Sequence, residues 1–300
     1  MIFAQKALAP GPGKPGFRRG DNPRGFLGNY QSGPEWDLGD FFLGNPKKKA
    51  GEKPMSELEV QFLGSGDAMG SGGRFQACIL VRSGGESFLI DCGASSLIAM
   101  KRFGVDPSSV GRVLLSHLHG DHFGGIPFLL LDGQFSRRTR PLTISGPEGV
   151  ESRVIAGMEV LFPGSSKVER KFPISFAEFH PGKEMILESL SVIPYEGVHP
   201  SGSPSLSLRI QTAGRVIAYS GDTEWTEAIP ALARDADLFI CEAYYFEKKI
   251  KYHLDYQTIL DRLPRIGCKK IILTHLSQDL LSRLGEVKID WAEDGKKIVL

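Results

Sequence analysis

No apolar run in these 300 residues approaches the ~20 needed to cross a bilayer as a helix. The N-terminus has no charged start leading into an apolar stretch, so a secretory leader is not supported. Cysteine is scarce. The four cysteines, at 78, 92, 241 and 268, include no C-x-x-C pair and sit mostly in apolar surroundings. That excludes a zinc ribbon and a disulfide scaffold, and predicts reduced core residues in a cytoplasmic protein. The formal net charge is only +1, so there is no basic excess to drive nucleic-acid binding. No period of 20–50 residues recurs, which excludes a solenoid. What remains is ordinary globular composition, 41% hydrophobic and 24% charged. Glycine is plentiful at 36 residues, as a loop-rich α/β fold requires.

Residues 1–54 stand apart. They hold 10 glycines and 7 prolines, with 9 Lys/Arg against 5 Asp/Glu, including Lys47-Lys48-Lys49. Such a segment buries too little apolar surface to order itself, and predicts a disordered or loosely attached basic tail. Met55-Ser56-Glu57 offers an alternative start. The remaining residues, 55–300, carry 27 basic and 30 acidic side chains and form the expected catalytic domain.

Within that domain, alternation predicts strands at Leu58–Leu63, Gln76–Arg82 and Ser87–Ile90, the last two as a hairpin. Further strands are expected at Arg112–Ser116, Leu142–Ser145, Ile186–Ile193, Ser205–Ile210, Val216–Ser220, Leu238–Cys241 and Lys270–Leu273. Helices are expected at Ala94–Phe103, Phe123–Phe135, Glu148–Leu161, Glu224–Arg234 (capped by Asp222 or Thr223) and Asp255–Leu263. A last helix, capped by Ser277, runs to Leu284. Phe162–Gly182 is poorly periodic and reads as a flap or a connection. Asp294-Gly295 signals a hairpin between Glu286–Asp290 and Lys296–Leu300. Phe128, Phe135, Tyr244, Tyr245 and Phe246 read mostly as core, with Tyr244 to Phe246 near a pocket rim.

His117-Leu118-His119-Gly120-Asp121-His122 decides the chemistry. Imidazole and carboxylate are ligands that a borderline cation prefers. Alternation puts His117 and His119 on one side of an extended segment, and Asp121 and His122 follow at a turn. One loop can therefore begin two metal sites. Histidines in a surface loop can form an accidental polar cluster. Against that stand His199, His253 and His275, each at a strand end or loop start, while His180 has no evident task.

Over about Leu58 to the C-terminus, the chain resembles the metallo-β-lactamase superfamily. The loop matches its H-x-H-x-D-H signature in full. Val198-His199-Pro200 and Leu273-Thr274-His275-Leu276-Ser277 resemble later ligand histidines, and Tyr219-Ser220-Gly221-Asp222-Thr223 resembles its strand-end aspartate. Phe62-Leu63-Gly64-Ser65-Gly66-Asp67-Ala68, and Cys241-Glu242-Ala243 with His253, are similar to the ribonuclease Z-like and phosphodiesterase branch. The resemblance implies an α/β four-layer αββα sandwich; periodicity alone gives only a mixed α/β protein.

It further implies two divalent metal ions. His117, His119 and His199 hold the first. Asp121, His122 and His275 hold the second. Asp222 bridges both, together with a water or hydroxide. Zinc is the foremost candidate, with manganese and iron as alternatives, since availability decides among them. Asp121, His253 and Glu242 are the implied catalytic residues. His253 donates a proton or stabilises negative charge, and Glu242 orients it. Asp91 is expected to accept from a ligand histidine rather than to ligate. Ser201, Ser203 and Ser205 read equally as candidates for holding substrate oxygens and as loop filler.

Only 23 positions separate His199 from Asp222, where ribonuclease Z enzymes carry a long tRNA-binding arm. With the slightly acidic domain, this argues against tRNA processing and for a phosphodiesterase on a small or cyclic phosphate ester. RNA cleavage and lactone or thioester hydrolysis are the alternatives. The implied partners are the small ester and, as in many members of this branch, a second copy of the chain, with no membrane.

Overall fold

The computed structural model describes residues 57–300; the segment 1–54 and Met55 lie outside the described residues. The strands are β1 (Leu58–Gly64), β2 (Cys78–Ser83), β3 (Glu86–Ile90), β4 (Arg112–Leu114), β5 (Leu142–Gly146), β6 (Ile174–Glu178), β7 (Met185–Leu187), β8 (Leu190–Glu196), β9 (Leu206–Thr212), β10 (Arg215–Tyr219), β11 (Leu238–Glu242), β12 (Ile271–Thr274) and β13 (Lys297–Val299). The helices are α1 (Ser96–Arg102), α2 (Gly120–Phe123), α3 (Ile126–Phe135), α4 (Val150–Leu161), α5 (Ile229–Ala233), α6 (Tyr256–Arg262) and α7 (Gln278–Leu281). One sheet has the order β13-β1-β2-β3-β4-β5-β6, the other β12-β11-β10-β9-β8-β7.

Alternation of side chains assigns each strand residue to a layer. Leu58, Val60 and Phe62 of β1, Ile79 and Val81 of β2, and Phe88 and Ile90 of β3 enter one buried cluster. There they join Leu206, Leu208, Ile210, Ile217, Leu238 and Ile240 from the second sheet. The intervening Cys78, Leu80, Leu89 and Val113 face outward and pack with Met100, Leu129, Val154 and Met158 from α1, α3 and α4. On the other side, Ala218, Phe239, Cys241 and Leu273 pack with Leu232, Ile259 and Leu280 from α5, α6 and α7. Three apolar clusters between successive layers make this the expected αββα sandwich. Each fully buried Leu, Ile or Phe contributes on the order of 2 kcal/mol. Leu63 follows the β1 alternation into the outer cluster, and the β1–β2 register shifts between Phe62 and Gly64.

Several expectations are corrected. Residues 162–182 are not a flap: β6 lies within them and pairs with β5 as the sheet's edge. Its residues are only partly buried, so the strand has little burial contrast to show in the sequence. The strand predicted over Ile186–Ile193 is the hairpin β7–β8, turning at Glu188 with φ 55°. The helix predicted at Glu224–Arg234 shrinks to α5, where Pro230 occupies the first turn and neither Asp222 nor Thr223 caps it. Proline lacks the N–H that a helix interior needs but suits its start. Asp255 does cap α6, its Oδ1 accepting from the Thr258 N–H at 2.9 Å. Ser277 holds the capping position of α7 without a side-chain bond.

The C-terminal hairpin is absent. β13 pairs antiparallel with β1, while the Asp294 carboxylate accepts from Ser65 N and Oγ and from Phe75 N. Phe135 is 77% exposed, not core. Among the described residues no helix is long and apolar enough to cross a membrane. Three of the four free cysteines are buried, and Cys268 is half-buried.

Candidate metal centre

Strands β3 to β6 run parallel, as do β10, β11 and β12. In such sheets, ligands gather beyond the carboxyl ends of the strands. Here β3 leads to Asp91, β4 leads to His117, β10 leads to Asp222, β11 ends at Glu242 and β12 leads to His275. The two sheets are tied together at this edge. Leu206 N–H donates to Ser116 O at 2.9 Å, and His275 N–H donates to Ser65 O at 3.1 Å. Asp91, Tyr252 and His275 hold φ of 57°, 74° and 60°. Left-handed backbone at non-glycine residues is strained and gathers at functional sites.

Gly93 shows how closely the loop is packed. A Cβ built there would lie 2.2 Å from Asp121 O. Gly93→Ala must displace the histidine loop, and is expected to cost about 1–3 kcal/mol of stability. Urea denaturation would measure this; an unchanged midpoint would show that the loop yields freely.

The structure brings the predicted ligands together in two adjoining groups. His117, His119 and His199 form one. Asp121, His122, Asp222 and His275 form the other, with ligand atoms in each within 4.8 Å of one another. His199 Nε2 lies 2.9 Å from His119 Nδ1. His122 Nε2 lies 3.3 Å from Asp121 Oδ2 and 3.4 Å from Asp222 Oδ1. His275 Nε2 lies 3.3 Å from Asp121 Oδ2 and 3.5 Å from Asp222 Oδ2. Asp222 Oδ2 is also 3.9 Å from His117 Nε2 and from His199 Nε2. One carboxylate thus faces both groups.

These spacings fit a cation. Bonds of about 2.0–2.1 Å at tetrahedral angles separate ligand atoms by roughly 3.3 Å. Moreover, His117 Nε2, His122 Nε2 and Asp222 Oδ1 are buried without a hydrogen-bond partner. Orphaned buried polar atoms are costly, and a bound ion satisfies them.

Protonation agrees. Burial, and then repulsion from His122, hold His117 well below the ordinary imidazole value. Burial likewise lowers His119 and His199. Neutral imidazole is the form that ligates. Burial opposes ionisation of Asp222, but His275 and His122 outweigh it and hold the carboxyl well below its usual range. Burial also acts against Asp121, which His122 and His275 keep low. For His122, burial is outweighed by the carboxylates of Asp222, Asp121 and Asp91, which push it well up.

Asp91 supports this loop from behind. It accepts from Ser116 N at 2.7 Å, Ser116 Oγ at 2.8 Å and Tyr219 Oη at 2.8 Å, and its Oδ2 lies 2.7 Å from His122 Nδ1. A carboxylate on Nδ1 leaves the Nε2 lone pair facing the cation position. Ser116 and Tyr219 were not singled out from sequence. Ser116 directly precedes His117 and Tyr219 opens the strand-end motif, but nothing in their spacing marks the partner they share.

Glu242 and His253 form a pair next to Asp222. His253 Nδ1 lies 2.9 Å from Glu242 Oε2, and Glu242 Oε1 accepts from Thr223 N and from Leu254 N. Burial, then repulsion from Asp222, push Glu242 well up, while burial lowers His253. Tyr244 stacks on His253 at 4.8 Å between centroids. The hydroxyls of the three candidate serines are engaged within the fold. Ser201 Oγ donates to Ser203 O, Ser203 Oγ to Glu148 O, and Ser205 Oγ to Asp222 O. His180 is exposed and is in none of these groups.

The sequence model of the family described as "Anti-Pycsar protein Apyc1" matches residues 58–291. A ribonuclease Z of Lachnoclostridium phytofermentans is 27% identical over 275 residues, covering 74% of this chain and 88% of the relative. Among solved structures, the short form of human tRNase Z superposes with a TM-score of 0.67 at 25% identity, over 80% of this chain and 98% of that one. The metallo-β-lactamase fold protein YhfI from Bacillus subtilis has a TM-score of 0.68 at 20% identity, over 82% of this chain and all of that one.

Proposed function

The chain belongs to the family described as Anti-Pycsar protein Apyc1, in the ribonuclease Z-like and phosphodiesterase branch of the metallo-β-lactamase superfamily, and from that membership we propose a metal-dependent phosphodiesterase acting on a small or cyclic phosphate ester. One observation carries the reading: two donor groups adjoin, share the Asp222 carboxylate, and have the Glu242–His253 pair at their side. His117, His119 and His199 would hold one divalent cation, and Asp121, His122 and His275 the other. When bound, such a pair lowers the pKa of water and polarises phosphoryl oxygens. Zinc suits the donor set, and manganese or iron would also be accepted.

The protein's own groups supply the rest. Glu242 engages Nδ1 of His253 and leaves Nε2 as the free ring nitrogen. A proton from Nε2 reaches the leaving oxygen as its bond to phosphorus breaks, and the proton that water gives up restores it. Water's hydroxyl ends on phosphorus, so the reaction balances as hydrolysis. Asp121 and Asp222 fix the ligand imidazoles. The four free cysteines agree with a reducing, cytoplasmic setting.

Likeness to ribonuclease Z gives an RNA substrate its support. Against it, the chain between His199 and Asp222 is filled by a short loop and the β9–β10 hairpin, which leaves nothing to form an arm. Purified full-length protein, loaded with zinc or manganese, should hydrolyse bis(p-nitrophenyl) phosphate with about two metals per chain. Two bound metals without phosphodiester turnover would redirect the search to lactones and thioesters. His253→Ala should keep its metals. It should slow phosphodiesters with poor leaving groups by about 100-fold. Full activity on such esters would favour the acyl reading instead.

A further inference from the structure

Tyr252 is the residue before His253, and its backbone is strained at φ 74°. Both its polar groups are engaged. Its carbonyl accepts from His199 Nδ1 at 2.9 Å, and its N–H donates to Glu224 Oε1 at 2.7 Å. One peptide segment therefore orients a ligand imidazole and delivers His253 to Glu242. The residue is 40% exposed, so packing of the ring is a weak reason for the strained conformation.

Glu224 lies two residues beyond Asp222, in a segment that is itself pinned. Thr223 Oγ1 accepts from Val198 N–H at 2.8 Å, and Glu224 N–H donates to Val198 O at 3.2 Å. Thr223 N–H donates to Glu242 Oε1. The Glu224 carboxylate is thus a rigidly carried acceptor aimed at the Tyr252 amide. Without it, that amide would seek water, and Tyr252 would relax toward the right-handed or extended backbone that tyrosine prefers. Relaxation would swing its carbonyl away from His199 and turn His253 off Glu242.

We propose that Glu224 is a positioning residue which, through the backbone of Tyr252, holds His253 in place to protonate the leaving group. This rests on the phosphodiesterase reading above. It predicts sensitivity to the leaving group, because a phenolate that departs unaided needs no proton.

The test uses the metal-loaded full chain and a series of aryl methyl phosphates, from p-nitrophenyl to phenyl. Glu224→Ala should lower kcat for the phenyl ester about 10-fold, with KM nearly unchanged, since misplacing a catalytic group costs this order of rate. Because release of the Tyr252 carbonyl from His199 also weakens metal retention, both esters are assayed at saturating metal with content checked on the same sample. At full occupancy the p-nitrophenyl ester should change by less than about 2-fold, since general-acid assistance matters little there. Glu224→Gln, whose amide oxygen can accept the same bond, should recover most of the loss. In a His253→Ala background, Glu224→Ala should add nothing, as coupled residues are not additive.

A second readout needs neither metal nor turnover. In metal-free protein, exchange of the Tyr252 amide should quicken in Glu224→Ala and stay slow in Glu224→Gln. Equal losses on both esters, failure of Gln to rescue, or unchanged exchange would each overturn the inference. If His253→Ala slows the phenyl ester and Glu224→Ala does not, the inference alone fails. If His253→Ala leaves that ester untouched, the acid reading fails and takes the inference with it.

Discussion

Asp222→Ala is expected to lower bis(p-nitrophenyl) phosphate turnover by at least about 1,000-fold and to leave one metal or fewer per chain, because its carboxylate faces imidazoles of both donor groups. Asp222 is 3% exposed. Its Oδ1 is directed at His122, and its Oδ2 at His275, His117 and His199. The carboxylate is held ionised against burial by those imidazoles. Removing it takes away a negative charge that both groups face. Metal content and turnover should be measured on the same sample, with Asp222→Asn as the isosteric control. The amide keeps the shape but gives up the charge and one acceptor oxygen. Wild-type metal content with wild-type turnover in the alanine variant would sink the dinuclear reading. Two metals with lost turnover would instead leave Asp222 a role in the reaction but not in retention.

Asp91→Asn should be the most damaging change outside the donor groups themselves. Stability is expected to fall by about 3–5 kcal/mol, the usual loss when one partner of a buried charged network is removed. Backbone strain is not the cause, since asparagine tolerates the left-handed φ of 57° that Asp91 adopts. The cause is hydrogen-bond arithmetic. Four donors converge on two oxygens in a site where Asp91 and His122 are both fully buried. Asparagine offers one oxygen and one NH2. If the NH2 faces Ser116 N–H, two donors oppose each other. If it faces the other group, His122 Nδ1 must become an acceptor, which moves its proton to Nε2. That nitrogen then has no lone pair for a cation. Metal affinity should therefore drop by about 10- to 100-fold along with stability. Urea unfolding of the metal-free protein and chelator competition on the loaded protein separate the two effects. Unchanged stability of the metal-free variant would show that Asp91 is not the anchor its contacts suggest.

Both predictions concern residues that were visible in the sequence, yet for different reasons. His117 to His122 sit together within six residues, so residue type and spacing were enough to name them, while Asp222 was named by the resemblance of Tyr219 to Thr223 to the superfamily's strand-end motif. Asp91 was visible only as a carboxylate at a strand end, and its load became evident once Ser116, His122 and Tyr219 were seen to share it. Local signals failed where tertiary contacts took over backbone groups. Glu224 reads as the start of a helix, but its N–H goes to Val198 and its carboxylate to Tyr252, so the helix starts later, at Ile229. Asp294-Gly295 reads as a hairpin turn, but Asp294 is spent on Ser65 and Phe75. The three serines after His199 read as free oxygens and are consumed within the fold.

The sequence by itself determined the composition of each layer and the clustering of His117 to His122, while the division into two donor groups came from the family resemblance. Two-residue alternation sorts side chains between the inner and outer clusters without reference to distant residues, and short motifs carry their ligands with them. Only the tertiary structure decided which ring nitrogen faces a cation, which carbonyl holds His199 from 53 positions away, and how Glu224 reaches the residue before His253. Those outcomes are hydrogen bonds between groups far apart in the chain. Their partners are chosen by where the strand ends meet, and no local propensity encodes that.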